Sequence, residues 1–191
     1  MNKMNIYFTR TTFATRVLPI FATKLQRTIA FFTQEGLDIC NKQISEIASQ
    51  VLEVAFKDGI GAECPKKDSE PDCKILNPET GQMTAWELKC TSGEGWRGGE
   101  YSKRPGYYVL MAYNITVEKA IECFAARLHL EENDWKKSRS NTYYATSFGK
   151  KQLMNCIDQG KVEILHGSIE RKGRQIKMTK EKIGEFEGKL G

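Results

Sequence analysis

Across residues 37–57 the apolar positions Ile44, Ile47, Ala48, Val51, Val54 and Ala55 recur at three- and four-residue spacing, which predicts an amphipathic helix with one buried face. Asp58-Gly59-Ile60-Gly61 supplies its stop. After a polar linker through Pro65 to Pro71 the period changes to two. Cys73-Lys74-Ile75-Leu76 reads as a short strand, Asn77-Pro78-Glu79-Thr80-Gly81-Gln82 as a turn and Met83–Thr91 as the returning strand, so residues 73–91 form a hairpin. A glycine-rich loop over 92–106 leads to Tyr107-Tyr108-Val109-Leu110-Met111-Ala112-Tyr113. That run has the length and aromatic content of a central strand buried on both faces.

Residues 120–130 fit both periods, and the alternation of Phe124, Ala126, Leu128 and Leu130 with Ala125, Arg127 and His129 favours a fourth strand. A polar loop follows, then a helix over about 148–158 with Ser147 as N-cap. Residues 162–169 and 175–178 flank the basic turn Arg171-Lys172-Gly173-Arg174 and predict a terminal hairpin. The order is helix, three-stranded meander, further strand, helix, hairpin. It defines an α+β fold in which a central mixed sheet is flanked by helices.

With 191 residues, 40% of them hydrophobic, the chain has enough material for one domain with a core of ordinary size. No stretch approaches the roughly 18 uninterrupted apolar residues of a membrane-spanning helix. The net charge of +5 is unevenly placed. Residues 1–34 carry Lys3, Arg10, Arg16, Lys24 and Arg27 and no acid, which leaves 24 basic and 24 acidic residues in 35–191. The first 34 residues therefore read as a basic N-terminal arm or a targeting-like segment, and 35–191 as a single domain. Six cysteines without any C-x-x-C spacing do not make a metal finger, and several sit in apolar runs as small hydrophobes. They imply a reducing compartment of the bacterial cytoplasmic type, without structural disulfides; organelle targeting by residues 1–34 is the alternative. His129 and His166 lie far apart, each in a strand-like run, and do not suggest a histidine-centred site.

The chemistry concentrates in the 73–91 hairpin. An acid-x-Lys tripeptide occurs five times, against about two or three expected from composition alone, so context has to choose among them. Only Glu87-Leu88-Lys89 lies inside an otherwise apolar segment, with Trp86, Leu88 and Cys90 on the core face and Glu87 and Lys89 together on the other. Charged groups on a strand built for burial need a partner or a task. Asp72, just after Pro71, falls across the hairpin from Glu87, so two carboxylates converge beside one lysine. Carboxylates this close repel unless a cation lies between them, and an oxygen-only donor set suits Mg²⁺ or Mn²⁺.

Pro71-Asp72, fourteen intervening residues and Glu87-Leu88-Lys89 in an apolar strand resemble the PD-(D/E)xK nuclease superfamily over residues 40–115. The resemblance implies Mg²⁺-dependent phosphodiester hydrolysis on an α/β core. Asp72 and Glu87 would be metal ligands, the Leu88 carbonyl would complete the site, and Lys89 would position the attacking water. Many members add a glutamate from the preceding helix; Glu46 is the first choice here and Glu53 the alternative, although both fall opposite the apolar face of an ideal wheel.

In the loop after the motif, Trp96, Arg97, Tyr101, Lys103 and Arg104 offer stacking and phosphate contacts among glycines that admit a close backbone. Compact chains of this kind resemble type II restriction endonucleases, which implies double-stranded DNA as substrate and a homodimer matched to a two-fold site. A non-catalytic nucleic-acid-binding module and a repair or junction nuclease of the same superfamily are the alternative readings.

Overall fold

The computed structural model describes residues 8–65, 70–77, 80–99, 105–135 and 146–183. The chain enters through a short helix α1 (Arg10–Thr12), a π-helical turn (Phe13–Val17) and α2 (Leu18–Gln34). Thr9 and Thr12 cap this entry reciprocally, each hydroxyl accepting the other's backbone N–H at 3.1 and 2.8 Å. The wider turn precedes Pro19, whose missing N–H takes one bond out of the next turn. Helix α3 (Asn41–Ile60) follows and ends where Gly61 adopts φ +77°, in agreement with the predicted stop.

The sequence set residues 1–34 apart from the domain, but the described part of that segment is built into it. Phe8, Phe13, Val17, Leu18, Phe21 and Leu25 are buried in the same core as Leu52, Ala55 and Phe56 of α3. The fit is close enough that a Cβ on Gly59 would lie 2.9 Å from the Arg16 carbonyl oxygen, so the crossing of α3 over the π-helical turn requires glycine there.

The strands are β1 (Cys73–Leu76), β2 (Met83–Thr91), β3 (Gly95–Gly99), β4 (Gly106–Ile115), β5 (Ile121–Leu130), β6 (Thr146–Gly149), β7 (Val162–His166), β8 (Ser168–Lys172), β9 (Gln175–Thr179) and β10 (Glu181–Lys182). The main sheet runs β1-β2-β4-β5-β10, with β7 also paired to β5. The hairpin β1–β2 has the register that the alternation predicts, with Cys73 opposite Trp86 and Leu76 opposite Met83. The ambiguous segment after residue 120 is a strand, antiparallel to β4 along its whole length. The protein thus has an α+β fold around a mixed sheet.

The three-stranded meander is corrected. β4 runs parallel to β2, with Glu87 beside Tyr108 and Lys89 beside Leu110. Parallel neighbours need a crossover, and the glycine-rich stretch supplies it; part of it is β3, paired with β6 in a separate ribbon. The terminal hairpin is narrower than expected: Gly167, at φ +73°, breaks its first limb, so β8 pairs with β9 while β7 joins the main sheet. Helix α4 (Lys150–Asp158) begins two residues late, because Phe148 belongs to β6. Gly149, rather than Ser147, is its N-cap, and donates its N–H to Gln152 Oε1 at 3.1 Å.

Two cores explain why β4 reads as continuously apolar. Val109, Met111 and Tyr113 face α2 and α3, while Tyr108, Leu110 and Ala112 face a second cluster with Trp96, Phe148, Trp135 and Leu153. Among the described residues no helix is long and apolar enough to cross a membrane.

Candidate active site

The β1–β2 register sets the site. Asp72 stands one residue before Cys73, across from Glu87, and its Oδ2 accepts the backbone N–H of Leu88 at 2.7 Å. That bond fixes the Asp72 carboxylate against β2. Lys89 Nζ donates to the same oxygen at 3.2 Å and to Glu87 Oε2 at 2.9 Å. The side chains of Lys89, Asp72 and Glu87 are 20%, 30% and 32% exposed, so water screens these charges less than it would on an open surface. Trp86, Leu88 and Cys90 pack on the helical core, as the two-residue period requires. The Leu88 group that the structure brings into play is its N–H, where the sequence pointed to its carbonyl.

Glu53, rather than Glu46, is the α3 carboxylate that feels the charges of this cluster. Burial pushes the Glu53 carboxyl up, and the negative charge of Asp72 adds to that, with Lys89 opposing. Glu46, two turns earlier, is 62% exposed and pairs with Lys42 at 3.8 Å. Seven residues make almost two full turns, so the two glutamates share one face of α3 and differ by about 10 Å along its axis. The helical wheel could not separate them; only the way α3 lies over β1 and β2 does.

Electrostatically the site is over-supplied with negative charge. Burial raises the Glu87 carboxyl, against the pull of Lys89, and the Asp72 charge raises it further. Burial by itself would lower the Lys89 ammonium, but Asp72 and Glu87 outweigh it and hold it above its usual value. Two carboxylates therefore grip the Lys89 ammonium, and a third, Glu53, lies within reach of their charges. The donor set is oxygen only and its surplus charge suits a small divalent cation such as Mg²⁺. Among the described residues no three His, Cys, Asp or Glu side chains already close around one point as a metal cage; Asp72 and Glu87 grip Lys89 instead.

Neighbouring contacts brace the cluster. Lys180 Nζ donates to the carbonyls of Ser92 and Tyr113, at 3.1 and 2.9 Å, and ties the exit of β2 to β4. Cys64 Sγ donates to the Glu53 carbonyl at 3.4 Å, and burial pushes its thiol up to about 11. Neither residue carried a signal in the sequence, since each acts through a backbone carbonyl. A cleft of about 410 Å³ lies elsewhere: Trp86, Tyr107 and His129 line it on the face opposite Glu87.

The loop residues fare differently. Trp96, expected to stack on bases, is 1% exposed and donates its indole N–H to the Met111 carbonyl at 2.9 Å. Pairing of β3 with β6 turns this ring inward against Phe148, which leaves no face for a base. A Trp96→Phe variant should lose about 1–2 kcal/mol of stability in denaturant titration, from one buried hydrogen bond and a smaller ring, with DNA affinity unchanged. A base-stacking tryptophan would give the reverse pattern. Arg97 lies in β3 and only its backbone is described; Tyr101, Lys103 and Arg104 lie outside the described residues. Cations elsewhere on the surface are paired internally: Lys150 with Glu94 at 2.5 Å, Arg171 with Asp158 at 2.7 Å and Lys172 with Glu170 at 2.9 Å.

A scan of the chain against protein-family models found no match, and a search of curated proteins found no significant one.

Proposed function

We propose that this protein is a Mg²⁺-dependent endonuclease of the PD-(D/E)xK kind, cutting double-stranded DNA in the manner of a type II restriction enzyme. The observation that carries the reading is the convergence of Asp72, Glu87 and Lys89 on one half-buried hairpin, with Glu53 of α3 within reach of their charges. Two carboxylates gripping a single ammonium on a hairpin otherwise built for burial, with a third acid on the helix within reach of their charges, are hard to account for as a surface salt bridge, which rarely stabilises a fold by more than about 1 kcal/mol.

In this reading Asp72, Glu87 and Glu53 hold Mg²⁺, with Mn²⁺ as a substitute. The cation would supply Lewis-acid stabilisation of the charge that builds on the scissile phosphate. The rest falls to the chain's own groups. The Leu88 N–H keeps Asp72 from swinging away. Lys89 has three N–H donors, two of them engaged with Asp72 and Glu87. The third is free to orient a water for attack or to meet a phosphate oxygen. A homodimer would present two such sites to the two strands.

Glu53 and Glu46 provide a test internal to the helix. Glu53→Gln should reduce the rate of plasmid cleavage by about 10²-fold or more at fixed Mg²⁺ and weaken Mg²⁺ binding in calorimetry, whereas Glu46→Gln should match wild type in both. Equal loss in the two variants would contradict the placement.

The pH dependence has a definite sign. Glu87 and Glu53 bind protons more tightly in the fold than in the unfolded chain. The stability they contribute is therefore present below the ordinary carboxylate range and lost as pH rises through their raised values. A bound cation favours the ionised forms and reverses the trend. The Tm increment produced by Mg²⁺ should be largest at neutral pH and should shrink on acidification before ordinary carboxylates titrate. An increment independent of pH would mean that the metal binds elsewhere.

A further inference from the structure

Residues just past α3 run along the outer edge of β1. Glu63 and Lys74 exchange both backbone hydrogen bonds, the Glu63 N–H reaching the Lys74 carbonyl at 3.0 Å and the Lys74 N–H reaching the Glu63 carbonyl at 2.7 Å. In an antiparallel pair the next two residues, Cys64 and Cys73, face each other without hydrogen bonds between them. At such positions Cα atoms are typically ~4.5 Å apart, within the ~4.4–6.8 Å span that a disulfide bridges. Both side chains pack on the same helical core, Cys73 fully buried and Cys64 partly so. The other described cysteines have no such partner: β4 separates Cys90 on β2 from Cys123 on β5, Cys40 precedes α3, and Cys156 lies in α4.

We propose that Cys64 and Cys73 are a disulfide-forming pair, an oxidation site that staples the exit of α3 to the strand that follows Asp72. The oxidant is a low-molecular-weight disulfide, RSSR. The more accessible Cys64 attacks one sulfur as the thiolate, forming a Cys64–S–SR mixed disulfide and releasing RS⁻. Cys73 then attacks the Cys64 sulfur, the protein disulfide forms, and the second RS⁻ leaves. The two cysteine protons pass to the released thiolates, so two cysteines are oxidised while RSSR is reduced to two RSH. Cys73 is buried and Cys64 partly so, which makes the exchange slow. Because Cys64 also bonds the Glu53 carbonyl and Cys73 adjoins Asp72, the staple ties together two of the three carboxylates. That consequence rests on the nuclease reading; the cross-link does not.

The test uses folded full-length protein in a Cys40→Ser background, which removes the exposed thiol, incubated with glutathione disulfide at mildly alkaline pH. The expected product has lost two hydrogens by intact mass, yields one peptide pair linked through Cys64 and Cys73, reverts with dithiothreitol and melts on the order of 5 °C higher than the reduced form. Adding Cys73→Ala should trap one glutathione on Cys64. Adding Cys64→Ser should leave Cys73 unmodified, and thermal melts confirm that both variants are folded. All thiols remaining free, a different pairing, or identical behaviour of the two variants would overturn the proposal. Since mass and melting are the readouts, the result is independent of whether the protein cuts DNA.

Discussion

Lys89→Ala should abolish DNA cleavage, with a rate loss on the order of 10³-fold or more, while DNA binding in a gel shift stays close to wild type. The rate loss follows from removing an ammonium placed to meet charge developing on the phosphate or to orient the attacking water, groups worth about 10²–10⁴ in rate. Binding survives because phosphate contacts across a wide surface dominate affinity for DNA. The variant also separates catalysis from metal binding. Removing Lys89 leaves Asp72 and Glu87 facing each other without a counter-charge, so the metal-free variant should melt below wild type, and Mg²⁺, with no ammonium to displace, should bind at least as tightly and restore much of the loss. Glu87→Ala should lose cleavage and Mg²⁺ binding together. Full activity in either variant would remove the proposed site.

A second large effect is expected far from the chemistry. Phe13→Ala should destabilise the protein by about 3–5 kcal/mol in denaturant titration, the usual cost of emptying a phenylalanine site in a core that cannot collapse. Phe13 is fully buried and meets Phe8 and Phe56 at ring separations of 6.0 and 5.9 Å. Against a total stability of about 5–15 kcal/mol this is a large fraction. Deleting residues 1–34 removes Phe13 together with Val17, Leu18, Phe21 and Leu25 and uncovers Leu52 and Phe56, so the shortened chain should show no cooperative melt. A truncated protein with an unchanged Tm would show that these residues are a detachable arm.

That segment illustrates how a sequence can be read on the wrong channel. Its lack of acids drew attention to charge, yet Phe8, Phe13, Val17, Phe21 and Leu25 recur every four or five residues, one side of a helix widened by a π turn. The hairpin was legible because its information is local: alternation fixes which side chains share a face, and the Asn77-to-Gln82 turn fixes the register, so Asp72 had to fall across from Glu87. The direction of β4 relative to β2 was not legible. It depends on where the chain goes over residues 92–105, and glycines there look like a loop whether or not part of them forms β3. Trp96 went astray for the same reason, since its burial is decided by β6, some fifty residues on. For Glu46 and Glu53 the relevant variable was height along α3, on which a wheel is silent.

The most direct test of the central claim is incubation of purified full-length protein with plasmid and phage DNA, in Mg²⁺ and in EDTA. Discrete fragments that form in Mg²⁺ and not in EDTA are the predicted result, and mapping their ends would give the target. DNA left intact at every Mg²⁺ and Mn²⁺ concentration by folded protein that still shifts it in a gel would contradict the nuclease reading and leave a binding module in its place.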